Sequence, residues 1–330
     1  MTRAIEQVLN EFPTVAGNAP RRIGYIVNFS FHIWYRVVQD YMQARARQYG
    51  VSDLLVRDAN QDLATELSAL DDLLKAGVDA LIVTPVPGPG TEAIVARANA
   101  ARVPCVIEAN PVPGMATMVA ICDYDAGVKA GTWAGQYTRA AIGGSVKVLD
   151  IAFPPLRPCL LRSDGFFDGL RSLVPGATLA ERVNGEARIE VAEQVSLAAL
   201  KKHPDINIIF AMDDESLQGG LRAARQLNRS ENEIVAVGFG LAGQEDKARL
   251  RESEAWKASL AMFPEWVGAR CVDQAVRLLN GHPVAVHDVV PTVCVSRETL
   301  GVYFGERDGG WYPNFPNILA ITREERCTRT

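Results

Sequence analysis

Short apolar runs alternate with amphipathic stretches along the first third of this chain. Runs typical of buried strands lie at residues 22–27, 52–57, 78–83 and 103–108, and helical patterns lie between them at 33–49, 63–77 and 91–101. The run at 78–83 has no polar alternation, as expected of a strand covered on both faces. This order of elements predicts a parallel sheet with helices on both sides.

The same alternation restarts near the middle of the chain. Strand runs lie at 145–151, 177–183, 206–211 and 234–239, and helical patterns lie at 161–173, 189–202 and 216–227. A length of 330 residues fits about two domains. We therefore predict an α/β protein made of two doubly wound parallel-sheet lobes, with no flexible Gly/Ser linker between them.

Charge and hydropathy exclude two classes of partner. The formal net charge is −5 and the pI is about 5.5, so a basic surface for nucleic acid is not expected. Direct membrane insertion is not expected either, because no stretch approaches the roughly 18 apolar residues of a membrane span.

The first 20 residues lack the apolar core of a signal peptide. Ile5, Val8, Leu9 and Phe12 instead have the spacing of a short amphipathic helix. Both a cytoplasmic protein and one whose signal has been removed are consistent with this pattern.

The six cysteines do not form a metal-binding pattern. They are Cys105, Cys122, Cys159, Cys271, Cys294 and Cys327, with no CxxC pair among them. We favour small buried thiols and leave open a disulfide between one pair. The histidines show no HExxH pairing, and neither GxSxG nor GxxxxGK[ST] occurs. We therefore expect no metal, no cofactor and no catalytic residue set.

Two further motifs follow strands of the second lobe. Residues 238–243 match GxGxxG, but they follow a late strand and lack the later acidic residue of a dinucleotide site, so we interpret them as a flexible, glycine-rich ligand loop. Asp213, Asp214 and Glu215 could cap a helix, contact a polar ligand, bind Mg²⁺ or act in acid–base catalysis. We favour capping, while a neighbouring acid could still face a ligand.

Aromatic residues crowd the first strand-to-helix loop. His32, Trp34 and Tyr35 lie there, and ligands of open parallel sheets bind at the carboxyl ends of the strands. We expect at least one of these rings to contact a ligand. The alternative is that Trp34 and Tyr35 only pack the start of the helix.

Seven stretches follow one another in a recognisable order: the opening strand at 22–27, DANQD at 58–62, LKAGVDALIVTPV at 74–86, VPCV at 103–106, DGF at 164–166, IFAMDD at 209–214 and AVGF at 236–239. In this order they resemble periplasmic sugar-binding proteins of the ribose-binding type, which belong to the type I periplasmic binding proteins of ABC transporters. The resemblance covers roughly residues 21–301.

The resemblance implies two Rossmann-like lobes joined by three hinge crossings, with a ligand cleft between the lobes. The N-terminal lobe would comprise 21–122 and 263–289, the C-terminal lobe 123–262 and 290–330, and residues 1–20 would form an extension. The tail from 304 to 330 lies beyond the resemblance. Its glycines and prolines predict that it lacks regular structure, and its aromatic residues are expected to dock it on the C-terminal lobe.

Carried over by position, the resemblance implies a ligand site with fewer hydroxyl-binding groups than usual. The aromatic pair of the first loop falls on Ile33 and Trp34, with Phe31 and Tyr35 beside them. The usual Asp–Arg pair falls on Ala109 and Asn110, next to Glu108. The arginine of the second lobe falls near Leu160, with Arg162 close by. The remaining polar positions of the family fall on Asp213, Gly240 and Met262.

The implied function is capture of a small ligand, sugar-like, polyol or less polar and aromatic, and its delivery to ABC transporter permease subunits. The implied location is the periplasm and the implied state is a monomer. The alternative is a ligand-sensing module of the same fold, in which case the protein would be a regulator or a receptor partner.

Overall fold

The computed structural model describes residues 2–141, 145–321 and 327–328. It divides the chain into two compact units, each described by itself below. The first unit comprises Met1–Ile121, Phe263–Val290 and Gly305–Arg323, and the second comprises Cys122–Met262, Pro291–Phe304 and Glu324–Thr330.

The elements alternate as the sequence patterns predict. In chain order, the first part contains α1 (Thr2–Leu9), β1 (Arg22–Val27), α2 (Ile33–Gln48), β2 (Asp53–Asp58), α3 (Leu63–Lys75), β3 (Ala80–Val83), α4 (Glu92–Ala100), β4 (Cys105–Glu108) and β5 (Thr117–Ala120). The middle contains α5 (Asp123–Ala141), β6 (Lys147–Ala152), α6 (Arg157–Leu173), β7 (Thr178–Asn184), α7 (Ile189–Lys202), β8 (Ile208–Ala211) and α8 (Asp214–Gln226). Then follow β9 (Val235–Gly240), α9 (Gln244–Glu252), β10 (Trp256–Ala261), α10 (Pro264–Leu279), β11 (His287–Val289), β12 (Val293–Ser296), α11 (Leu300–Tyr303), β13 (Phe304–Arg307), β14 (Gly310–Pro313) and α12 (Phe315–Ile321).

The first unit is built on a parallel six-stranded sheet. Its strand order is β11-β5-β4-β3-β1-β2, and every pair in it is parallel. On one face, α3 and α4 cover the sheet with buried residues such as Leu70, Leu73 and Ile94. The carboxyl ends of β1, β3 and β4 therefore lie side by side at one edge.

The N-terminal segment and most of the tail belong to the first unit. Ile5, Val8 and Leu9 are buried as the helical spacing of α1 predicts. Phe12 meets Trp266 of α10 edge to face at 4.7 Å and Phe315 of α12 at 5.0 Å. The expectation that the tail lacks regular structure and docks on the second lobe was therefore wrong for residues 305–321. These aromatic rings bury apolar surface on the first unit and order the tail there.

The second unit repeats the architecture with one reversed edge strand. Its order is β12-β10-β9-β8-β6-β7, in which β12 pairs with β10 antiparallel and the other pairs are parallel. Helices α5 and α6 pack unusually closely. A Cβ at Gly131 would lie 1.9 Å from the Phe166 carbonyl oxygen, and one at Gly165 would lie 2.1 Å from that of Tyr124. Only glycine allows this approach.

One pair of cysteines is oxidised. Cys122 and Cys327 form a disulfide, while Cys105, Cys159 and Cys271 are buried free thiols and Cys294 is a half-buried one. The interpretation of all six as buried thiols was wrong for Cys122 and Cys327, and the open alternative of a disulfide applies to them. Sequence spacing could not have paired residues 205 positions apart.

Among the helices that the structure describes, none has both the length and the apolar character needed to cross a bilayer.

Candidate ligand-binding site

The loop after β1 presents an aromatic cluster at the edge of the first sheet. Phe29 stacks on Phe31 with ring centroids 4.8 Å apart, and Tyr35 meets Phe29 edge to face at 4.9 Å. Phe29 is buried, whereas Phe31 is 50% exposed. The cluster thus offers an accessible ring supported from below by a buried one.

Ile33 and Trp34 lie half-buried in the first turn of α2, directly after this cluster. His32 is the N-cap of that helix, and its Nδ1 accepts the Trp34 backbone N–H at 3.2 Å. This bond fixes the backbone of Trp34 at the carboxyl edge of β1. The structure groups Phe31 and Tyr35 around Phe29, and Ile33 and Trp34 follow in the first turn of α2. That these residues contact a ligand stays a prediction.

Sequence reasoning missed Asn28, the residue directly after β1. Asn28 is 2% exposed, and its Oδ1 has no hydrogen-bond partner among the described residues. A buried amide oxygen without a partner is costly, so it is a candidate acceptor for a ligand hydroxyl. An asparagine immediately after a buried strand was the available signal.

The loops after β3 and β4 approach each other. Asn110 donates from Nδ2 to the Pro85 carbonyl oxygen at 3.5 Å, and Glu66 of α3 accepts the Val86 N–H at 3.1 Å. Burial raises the pKa of Glu66 to about 7, although the Val86 N–H acts against this shift. Asn110 is half-buried at this edge, and its contact with a ligand stays a prediction.

Glu108 lies in the interior of the first unit. It is 1% exposed, at the end of β4. Desolvation raises the pKa of the buried Tyr25 hydroxyl, and the Glu108 charge raises it further. The pKa of the Cys271 thiol of α10 is raised by the same two causes in the same order. Glu108 therefore lies close to Tyr25 and Cys271, among buried groups of its own unit.

In the second unit, Arg162 of α6 is held by groups of its own unit. Its Nε donates to Asp123 Oδ1 at 2.7 Å, Nη1 donates to the Met212 carbonyl oxygen at 3.2 Å, and the guanidinium lies 4.7 Å above the Phe239 ring. Burial acts to lower the pKa of Arg162, but the Asp123 carboxylate raises it, and the net shift is upward. These contacts hold the charged guanidinium of Arg162 at the edge of the second sheet.

Asp213 caps α8, as favoured from the sequence. Its Oδ1 accepts the Ser216 N–H at 2.7 Å, and the residue is 5% exposed. The adjacent Asp214 is buried and accepts the Leu241 N–H and the Ser259 hydroxyl. Burial raises the pKa of Asp214, and the nearby Asp246 carboxylate raises it further.

Buried charged side chains hold the backbone of the loop after β9, residues 241–243. Asp246 accepts the Gly243 N–H at 2.8 Å, and the buried Lys247 ammonium donates to the Leu241 and Ala242 carbonyl oxygens at 2.7 and 3.1 Å. The flexible glycine-rich loop expected from the motif is therefore anchored at its backbone by Asp214, Asp246 and Lys247.

Gly240 and Met262 meet at the ends of β9 and β10. Gly240 has a φ of +126°, which favours glycine, and its carbonyl oxygen accepts the Met262 N–H at 3.2 Å. The Met262 Cε would lie 3.7 Å from a Cβ at Gly240. Since β8, β9 and β10 are neighbours in the sheet, Asp213, Gly240 and Met262 lie at adjacent strand ends. This edge of the second sheet therefore carries both the Asp213 carboxylate and the apolar thioether of Met262.

Comparison with known proteins gives the family. The model of the periplasmic binding protein domain matches residues 23–283, a range that contains strands of both sheets. The chain belongs to this periplasmic binding protein family. The ribose import binding protein of Bacillus subtilis is 27% identical over 279 residues, covering 82% of this chain and 86% of that protein.

Solved structures of periplasmic binding proteins share the fold. A solute-binding protein of Bacillus halodurans with bound myo-inositol has a TM-score of 0.77 at 17% identity, covering 88% of this chain and 99% of that one. A protein of Actinobacillus succinogenes with bound D-allose has a TM-score of 0.78 at 18% identity, covering 86% and 99%. The predicted two-lobed α/β fold and the resemblance to sugar-binding transport proteins are confirmed. The matched relatives are binding proteins rather than enzymes.

Proposed function

We propose that this protein captures a small sugar-like or polyol ligand in a cleft between its two lobes and delivers it to an ABC transporter permease. The family match from residue 23 to residue 283 carries the proposal, because it includes the ligand edges of both sheets. Hinge closure over the ligand would exclude water and give polar groups fixed partners.

The ligand proposed here is less polar on one side than an ordinary pyranose. In the second unit, Gly240 has no side chain and Met262 offers a thioether. In the first unit, the exposed ring of Phe31 supplies an aromatic surface. Such a surface suits the apolar face of a sugar, a deoxy position or an aromatic ring.

The polar side of the ligand would be held by the remaining hydrogen-bonding groups. We assign this role to Asn110, Asp213 and Arg162, with the Asn28 amide oxygen as an additional acceptor. We rank Glu108 last among the predicted anchors, because its charge already acts on Tyr25 and Cys271 of its own unit. The proposal therefore names an amphipathic ligand with a few hydroxyl groups.

The proposed location is outside the cytoplasm. Disulfides persist in oxidising compartments such as the periplasm, and the Cys122–Cys327 bond supports such a location. Alkylation of the protein in its own cells, followed by mass measurement, tests this. Full labelling of Cys122 and Cys327 without prior reduction would contradict an oxidising location.

A thermal-shift panel of pentoses, hexoses, deoxy sugars, polyols, nucleosides and aromatic acids tests the ligand class. A ligand that binds the folded state stabilises it by about 2.7 kcal/mol at a hundredfold excess over its Kd. We expect hits among deoxy sugars and cyclic polyols. A strong response confined to fully hydroxylated pyranoses would overturn the proposed ligand class while leaving the binding function intact.

Delivery to a permease is tested by uptake of the labelled hit in cells with and without the gene. Loss of uptake on deletion is expected. Tight binding with unchanged uptake would instead favour a ligand-sensing module.

A further inference from the structure

The chain bends sharply at two consecutive residues where β9 ends. Gly240 has a φ of +126° and Leu241 a φ of +51°, so both lie in the region that favours glycine. For leucine, the left-handed conformation brings Cβ too close to a carbonyl oxygen and costs free energy. Leu241 is also fully buried, so its backbone N–H and carbonyl need partners from the protein. Contacts with other residues must therefore hold Leu241 in this conformation.

Two buried side chains of the second unit bind the backbone of Leu241. Asp214 of α8 accepts its N–H, and the Lys247 ammonium of α9 donates to its carbonyl oxygen at 2.7 Å. The same ammonium donates to the Ala242 oxygen at 3.1 Å and to the Gly243 oxygen at 3.4 Å. Hydrogen bonds from a charged donor are stronger than neutral ones. Leu241 is thus fixed at both its N–H and its carbonyl, and Lys247 binds three successive residues of the loop.

Helix α9 itself does not explain the position of Lys247. The helix begins at Gln244, so Lys247 lies at the end of its first turn, where the helix dipole favours negative groups and disfavours a cation. Burial of an ammonium costs free energy as well, and Lys247 has 0% exposure. Its side chain turns back to the preceding loop, and Nζ also lies 4.5 Å from the ring centroid of Phe304. These contacts show that Lys247 stabilises the loop rather than the helix.

We propose that Lys247 is a positioning residue for ligand binding, which keeps residues 241–243 preformed at the carboxyl end of β9. This role rests on the proposed function, because it takes Gly240 and the loop after it as part of the ligand site. A loop that already has its bound conformation loses less entropy on binding. Without the ammonium, Leu241 would leave the left-handed conformation for part of the time. The affinity would then fall with the fraction of molecules that keep the competent loop.

Amide hydrogen exchange of the full chain without ligand tests the positioning directly. Lys247→Met keeps a side chain of similar length but removes the ammonium. We expect the amides of Leu241 and Gly243 to exchange at least about tenfold faster in this variant, while amides inside β9 keep their rates. A general loss of stability would instead accelerate the slowly exchanging amides of the unit together, which would overturn the proposal. Unchanged rates at Leu241 and Gly243 would also overturn it, whether or not the protein binds a ligand.

Calorimetric titration with the hit from the ligand panel tests the link to binding. Lys247→Met should raise the Kd at least about tenfold, and saturating ligand should slow the exchange of the loop amides again. Lys247→Gln replaces the ammonium by a neutral amide of similar length, so it should shift both measurements in the same direction and is used if the methionine variant does not fold. Faster loop exchange with an unchanged Kd would overturn the role in binding and leave the proposed function intact. A panel without any hit would count against the proposed function, while the exchange rates still decide whether Lys247 holds the loop.

Arg229 provides the matched control in the same unit. Its guanidinium donates to the Pro204 and Ile206 carbonyl oxygens at 2.9 Å each, and its side chain is 18% exposed. Like Lys247, it binds backbone carbonyl oxygens, but it does so ahead of β8, at the opposite edge of the sheet. Arg229→Met should lower the melting temperature, leave the Kd within about twofold and leave the loop amides unchanged. A tenfold loss of affinity in this variant too would mean that general loosening explains the effect, and would overturn the role of Lys247.

Discussion

Arg162 and Asp123 form a largely buried ion pair, with Nε and Oδ1 2.7 Å apart and side-chain exposures of 15% and 11%. Breaking such a pair from one side leaves a carboxylate with little water around it. We therefore expect Arg162→Met to lower the unfolding free energy by about 3 kcal/mol, measured by urea denaturation without ligand.

An ion pair at the surface of the same unit provides the control. Arg249 pairs with Glu245 at 3.4 Å, with exposures of 44% and 84%. Arg249→Met should cost less than about 1 kcal/mol, because exposed pairs contribute little. Adding Asp123→Asn to Arg162→Met should restore part of the loss. Equal costs for the two single variants would show that burial does not make the Arg162 pair important.

Asp213 has two separable roles, one in the helix and one proposed for the ligand. Its Oδ1 accepts the Ser216 N–H, so Asp213→Ala should cost about 1 kcal/mol of stability, as expected for loss of an N-cap. Asp213→Asn keeps a capping oxygen but removes the charge, so it should retain stability while weakening binding of the hit from the ligand panel. Calorimetric titration and thermal melts measure the two effects separately.

Asp62 provides the matched cap in the first unit. Its Oδ2 accepts the Thr65 N–H at 2.8 Å at the start of α3. Asp62→Ala should show a stability loss of the same order with unchanged affinity. An affinity loss equal to that of Asp213→Asn would mean that the charge at 213 has no specific role in binding.

Glu66 should make the stability of the first unit depend on pH. Burial raises its pKa to about 7 in the folded state, whereas the unfolded chain has an ordinary carboxyl. Between about pH 4.5 and 7, the folded state therefore holds a proton that the unfolded state has released, and stability falls as the pH rises. The loss across this window should be roughly 2–3 kcal/mol.

Glu66→Gln isolates this contribution. The glutamine keeps an oxygen that can accept the Val86 N–H but does not titrate. The difference in unfolding free energy between the parent protein and the variant should change across this window and stay constant above about pH 8. A difference that does not vary with pH would show that Glu66 titrates normally.

The fold was predictable because its signals are local. The apolar run at Ala80–Val83 and the helical spacing of α3 each lie within about a dozen residues, and both appear where the patterns predict them. The chain changes unit at Cys122, Phe263 and Pro291, and again at Gly305 and Glu324, which the resemblance did not imply. By contrast, β5 follows β4 without an intervening helix and carries only four residues, so no period revealed it.

The side-chain partnerships of the site were not predictable, since they depend on helix packing. Arg162 meets Asp123 because α5 and α6 approach closely through their glycines, and no local pattern encodes that distance. The tail was interpreted incorrectly for the same reason. Its glycines and prolines suggested irregular structure, while the burial of Phe315 depends on rings contributed by distant segments.

Trp34 and Trp311 offer the most direct comparison for locating the ligand. Both are half-buried and both lie in the first unit, Trp34 at the start of α2 and Trp311 in β14. Because both rings are half-buried, replacing either by alanine is expected to lower the melting temperature by a similar amount. Because only Trp34 follows the aromatic loop at the carboxyl edge of β1, Trp34→Ala should reduce affinity for the panel hit at least about tenfold, equivalent to 1.4 kcal/mol.

Trp311→Ala should leave affinity within about twofold, because β14 lies in the tail rather than at the edge of the main sheet. Equal losses of affinity, measured by calorimetric titration, would mean that the aromatic edge of β1 is not the binding surface.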